Sequence, residues 1–201
     1  MKLLVVSEGK HELYLDAETS ALVEMLRRMI PRDFVFERRK ISDKAVQQVA
    51  MRGKSGRHEK RLVSWMRYAE RRGFAAVVIV VDEDGVKDRR TAVANVQENQ
   101  VFPIPRAIGI AIRSFDAWML ADEVAISHVL QRTVQRQQDP ERISDPKQVC
   151  RSFAGEGDVT FGIAEFYLEL AAVIDVERLA ERCGDGFAPF RERVRSMVTS
   201  L

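Results

Sequence analysis

The segment that most constrains this chain is "FAAVVIVVD", residues 74–82. It is apolar throughout and rich in β-branched side chains, so as a strand it has no face that water would accept. Burial on both faces is the usual reason for such a run, which predicts a central strand of a parallel sheet with helices on both sides. The run ends abruptly in Asp82, Glu83 and Asp84, followed by Gly85 and the charged stretch "VKDRR". A buried strand that delivers acids at its carboxyl end requires something to neutralise them.

The surrounding pattern supports this placement. Residues 3–6, "LLVV", form a short strand ending in Ser7-Glu8-Gly9. Leu15, Leu22, Met25, Leu26 and Met29 recur at helical spacing until Pro31 stops them. "FVFERRKI", residues 34–41, alternates and reads as a second strand nearer an edge, and "MRGKSGR", residues 51–57, reads as a loop. Residues 58–73 form an amphipathic helix closed by Gly73, Arg89–Gln97 a further helix, and "AIGIAI", residues 107–112, a fourth strand. Strands alternating with helices specify an α/β fold with right-handed parallel crossovers. After Arg113 the pattern is helical, over 114–131, 145–154, 160–173, 175–183 and 187–199, with Trp118, Met119 and Ala121 as core positions. The expected organisation is an α/β core over 1–113, a mainly parallel four-stranded sheet with helices on both faces, and a helical C-terminal extension over 114–201 packed on it. The polar stretch 136–146 is the linker candidate.

Charge excludes little, because Lys+Arg 32 nearly balance Asp+Glu 30. Cys150 and Cys183 form no metal-like pair, which suits a reduced cytoplasmic protein. "MKLLVV" is too short for a signal peptide or a spanning helix, so no membrane association is expected. Oligomeric state is open.

Ligands of open α/β sheets bind beyond the carboxyl ends of the strands. Two strands deliver acids there: Glu8 from the first, and Asp82, Glu83 and Asp84 from the third. On an extended segment Asp82 and Asp84 point one way and Glu83 the other. If the first and third strands are neighbours, Glu8 meets the Asp82/Asp84 pair. At about 4 Å and an effective dielectric near 20, each like-charged pair costs on the order of 4 kcal/mol. Either a proton or a hard cation relieves this, and a site of few carboxylates suits Mg²⁺ or Mn²⁺ bridging to phosphate. The structural alternative is that Asp82 caps the next segment or pairs with Lys87 or Arg89.

Basic residues gather nearby. Arg52, Lys54, Arg57, Lys60, Arg61, Arg67, Arg71 and Arg72 face only Glu59 and Glu70 over residues 52–72, and Arg38, Arg39 and Lys40 lie upstream. Arg57, His58, Lys60, Arg61 and Arg113 are the candidates for gripping a nucleic-acid backbone, and a solvated helix face is the plain alternative. "GKSG" at 53–56 lacks the full phosphate-loop spacing, and Lys147 at a helix start carries little weight.

These residues resemble the Toprim family of topoisomerases, primases and overcoming-lysogenization-defect nucleases. "VVSEGKHE" and "VVDEDG" are similar to its glutamate motif and its Asp-x-Asp motif. "GRHEKRL", "IAIRSFDAWMLAD", "SDPKQVC" and "FAPFRERV" are similar to a small prokaryotic branch, the domain-of-unknown-function family numbered 4276. The resemblance implies Glu8 as metal ligand or general acid/base and Asp82 and Asp84 as metal ligands. Glu12 and Asp116 are possible further ligands; Asp116 stands where that branch often has a glutamate, one methylene longer. The implied activity is Mg²⁺- or Mn²⁺-dependent cleavage of DNA or RNA, in a phage-defence or mobile-element setting with an ATPase partner. Two rivals stand: a non-catalytic Toprim-like subunit docking on an ATPase, and a haloacid-dehalogenase-like phosphohydrolase with Asp82 as nucleophile.

Overall fold

The computed structural model describes residues 1–14, 16–31, 33–44, 46, 56–86, 88–155 and 161–201. Four strands, β1 (Lys2–Ser7), β2 (Val35–Lys40), β3 (Ala76–Asp82) and β4 (Arg106–Ala111), form one all-parallel sheet in the order β2-β1-β3-β4. β3 lies inside the sheet, paired with β1 and β4, as its unbroken apolar sequence demands. α1 (Ala21–Met29) links β1 to β2, α2 (Arg57–Arg71) follows β2, and α3 (Asp88–Glu98) links β3 to β4. The chain thus leaves β1 toward one edge and β3 toward the other, so the crevice between their carboxyl ends is the switch point where such sheets bind ligands.

Alternation along the strands builds two cores. Leu3, Val5, Val78 and Ala107 face Leu22 and Met25 of α1 and the helices after β4; Leu4, Val6, Val77, Ile79 and Ile108 face Leu62 and Met66 of α2 and Val93 and Val96 of α3. Each fully buried Val, Leu or Ile contributes about 1.5–3 kcal/mol. The helices after β4 are α4 (Phe115–Met119), α5 (Glu123–Val129), α6 (Pro146–Gly155), α7 (Ile163–Val173), α8 (Val176–Arg182) and α9 (Phe187–Thr199). They share the α1-side core, in which Trp118, Met119 and Ala121 are each 0 % exposed. α9 lies close on β4 because Gly109 has no side chain: a Cβ there would stand 2.7 Å from Phe190.

Three sequence expectations change. α1 begins at Ala21 rather than near Leu15 because Ser20 caps it, its hydroxyl accepting the Val23 N–H at 3.4 Å; Leu15 itself lies outside the described residues. The single helix expected over 114–131 is two, because the Asp122 carboxylate accepts the N–H groups of Val124 (3.1 Å) and Ala125 (3.2 Å) and starts α5 afresh. The stretch 136–146 is anchored rather than a free linker. It contains a 3-10 turn, Pro140–Arg142, with Pro140 and Glu141 buried, and Glu141 accepts the Asp185 N–H at 3.0 Å. Both cysteines are free and buried. Among the described residues no helix is long and apolar enough to cross a membrane.

Candidate metal centre

The pairing of β1 with β3 sets Ser7 opposite Val80, so Glu8, the next residue, emerges beside Asp82. Its Oε2 accepts the Asp82 N–H at 3.3 Å. Glu8, Asp82 and Asp84 each present one carboxylate oxygen, and the three oxygens lie within 4.8 Å of one another. The convergence arises differently from strand alternation. β3 ends at Asp82, and Asp84 (φ 48°) and Gly85 (φ 70°) turn left-handed, which swings Asp84 back toward the site. Aspartate and glycine tolerate that conformation better than most residues. Glu83 points away and pairs with Arg90. The N–H of Asp84 reaches the carbonyl of Arg113 at 3.4 Å, and Arg113 is itself left-handed (φ 65°).

Arg89, the first-turn residue of α3, reaches into the cluster. Its Nη1 donates to Glu8 Oε2 at 2.5 Å and to the Asp82 carbonyl, and lies 3.5 Å from Asp84 Oδ2. Of the two partners considered for Asp82, Arg89 therefore contacts its carbonyl and not its carboxylate; Lys87 lies outside the described residues. One guanidinium shared among three carboxylates leaves two negative charges uncompensated when all are ionised. That residue matches a divalent cation in charge, and an all-oxygen set of carboxylates matches Mg²⁺ or Mn²⁺ in chemistry.

The Asp82 carboxyl is accordingly hard to ionise. Burial, then the nearby Glu12, Asp84 and Glu8 charges, push its pKa up to about 8, against a single N–H donated by Phe115 at 2.8 Å. Glu12 is 4 % exposed and likewise shifted upward by burial. Its Oε1 accepts the Gly9 N–H (2.7 Å) and the Ser7 hydroxyl (2.8 Å). A Cβ on Gly9 would overlap the Glu12 carboxylate, so a larger residue after Glu8 would displace that carboxylate from this position.

Two clefts flank the acids. One, of about 270 Å³, is lined by Glu8, Arg89, Arg57, His58 and Arg61 together with the apolar Ile41, Leu62, Val81 and Val93. The other, of about 330 Å³, is lined by Asp82, Asp84, Asp116, Arg113, Asp145 and Lys147 among others.

The expected site residues therefore fall into groups. Glu8, Asp82 and Asp84 come together. Glu12 sits behind them, bonded to Ser7 and Gly9. Asp116 lines the acidic cleft with Asp82 and Asp84, its oxygens taken by the Ser114 hydroxyl at 2.7 Å and by the buried Tyr167 hydroxyl. Arg57, His58 and Arg61 line the basic cleft; Lys60 is half-buried on the same helix turn and Arg113 opens on the acidic cleft. Arg52 and Lys54 lie outside the described residues. Arg38, counted among the basic residues, is committed elsewhere: its guanidinium donates to the carbonyls of Leu13 (2.9 Å), Tyr14 (2.9 Å) and Thr19 (2.7 Å) and thereby pins the segment after Glu8. Tyr167 and Ser114 have no local sequence signal; each is recognisable only from what folds against it.

Compared with known proteins, the chain matches no family model, no curated protein and no solved structure. What fold and site define is a doubly wound parallel α/β protein with a carboxylate cluster at its switch point.

Proposed function

We propose that this chain is a Toprim-like, divalent-metal-dependent nuclease. The observation that carries the reading is the meeting of Glu8, Asp82 and Asp84 at the β1/β3 switch point, beside a cleft whose Arg57 and Arg61 have no carboxylate partner among the described residues. Acids that hold a cation and guanidiniums that hold phosphate, side by side, form the pairing that phosphodiester chemistry needs. Glu8, Asp82 and Asp84 would hold Mg²⁺ or Mn²⁺, which supplies Lewis acidity at a phosphoryl oxygen and acidifies a bound water. Arg89 fixes Glu8 against the end of β3 and keeps the carboxylates from splaying apart. Arg57 and Arg61 offset the charge of the strand lying across the cleft. Glu12 holds the Glu8-Gly9 turn in shape through the Gly9 N–H. An ATPase partner and a role in phage defence or a mobile element follow from the Toprim resemblance alone.

The test is cleavage of labelled single- and double-stranded DNA and RNA with Mg²⁺ or Mn²⁺. Asp82→Ala is expected to lower cleavage at least about a thousandfold, the scale on which loss of a metal ligand acts in such sites. Equal cleavage by the wild type and Asp82→Ala, or cleavage undiminished in chelator, would refute the reading.

A further inference from the structure

The basic cleft differs from a groove that merely tracks a phosphate backbone. Its lining combines the cations Arg57, Arg61 and Arg89, and His58, with the apolar Ile41, Leu62, Val81 and Val93, of which Leu62, Val81 and Val93 are 2 %, 5 % and 2 % exposed. A phosphate alone would use the cations and leave the apolar lining bare. A continuous duplex would find only about 270 Å³, just below the lower end of small-molecule pockets, and could not enter. An object with an anionic end and a flat apolar body fills both. Arg57, His58 and Arg61 lie in the first turns of α2, whose positive dipole end favours the same anionic end. Glu8 belongs both to the cleft and to the carboxylate cluster, so whatever binds here is held next to the acids.

We propose that this cleft binds one nucleotide of a strand, its phosphate on Arg57, Arg61 and Arg89 and its base against Ile41, Leu62, Val81 and Val93. The assignment of the apolar body as a nucleobase rests on the nuclease reading above. It sharpens that reading to a substrate class: the nucleotide entering the cleft is unpaired, so the substrate is a single strand or a frayed end, and an intact duplex is refused.

Binding is measured with the full chain in chelator, by calorimetric titration of deoxyadenosine monophosphate, deoxyadenosine and inorganic phosphate. The mononucleotide is expected to bind at least about tenfold tighter than either fragment, because only it engages both the cations and the apolar lining. Arg61→Ala, which removes a cation, and Ser42→Trp, which fills the cleft from an exposed lining position, are each expected to weaken it about tenfold. Mononucleotide binding no tighter than phosphate, or untouched by both substitutions, overturns the proposal. The two readings fail separately. Metal-dependent cleavage without mononucleotide binding would remove the nucleotide cleft and leave the nuclease. Mononucleotide binding that survives in Asp82→Ala, in a protein that cleaves nothing, would keep the cleft and remove the nuclease.

Discussion

Asp122 and Asp82 occupy opposite situations in one molecule. Asp122, in the helical half, is 2 % exposed and fully answered: Oδ1 accepts from Val124, Ala125 and the Arg178 guanidinium (2.5 Å), and Oδ2 accepts the Asp175 N–H at 2.9 Å. Burial alone would raise its pKa, yet these donors carry it below the usual carboxylate range. Asp82, at the sheet edge, receives one backbone N–H, stands among Glu12, Asp84 and Glu8, and is pushed up to about 8. The lesson is that burial does not decide which acid is structural. The supply of donors does: where the fold provides them the carboxylate holds elements together, and where it withholds them the carboxylate waits for a proton or a cation.

Removing each acid should break the protein in opposite ways. Asp122→Ala deletes the α5 cap, the link to Asp175 and the partner of Arg178, and should cost about 2–4 kcal/mol, lowering Tm by about 6–12 °C while leaving Mn²⁺ affinity intact. Calorimetry with a Mn²⁺ titration checks both halves; an unchanged Tm would show that the donors around Asp122 are not a stabilising network. Tyr167→Phe tests an intermediate case, since Asp116 is buried but has only two side-chain donors. Losing one should cost about 1–2 kcal/mol in chemical denaturation.

The pH dependence sharpens the contrast further. A carboxyl whose folded pKa lies above its unfolded value contributes stability that is complete below the unfolded value and lost as pH rises through the folded one. For Asp82 that window runs from 3.8 to about 8, and the upward shift of Glu12 acts in the same direction. Without divalent cations, Tm should fall by about 5 °C between about pH 5 and about pH 9, and Mn²⁺ should restore most of it at the alkaline end. Asp82→Asn should flatten this slope and abolish the Mn²⁺ effect; a slope unchanged in that variant would mean another group carries it. Asp122, shifted downward, loses its contribution only in acid below the usual carboxylate range. The smallest effect is expected for Glu12→Gln, within about 0.5 kcal/mol by denaturation, because the amide oxygen keeps the acceptor for the Gly9 N–H and the Ser7 hydroxyl.

Much of the frame was legible because apolar periodicity reports burial directly. "LLVV", "FAAVVIVVD" and "AIGIAI" each became a strand, and the alternation of Val77 and Ile79 with Ala76 and Val78 became the two cores. The break between α4 and α5 was illegible, because Asp122 looks like any surface aspartate until Asp175 and Arg178 fold against it from α8 and its cap. Arg38 shows the reverse error. It reads as part of a basic patch, yet five carbonyls of the segment after β1 claim it, a demand set by backbone geometry that no side-chain pattern reveals.

The residues that could hold a cation, and the strands that carry them, are written in the order of the chain, since hydrophobic patterning is local and survives without knowledge of the fold. Their meeting is not local. It depends on β1 and β3 lying side by side although β2 separates them in sequence, on Asp84 turning left-handed, and on Arg89 reaching back from α3 to Glu8. Distances between charges fall off with space and not with residue number, so only the tertiary structure could decide which acids repel, which are answered and which are left for a ligand.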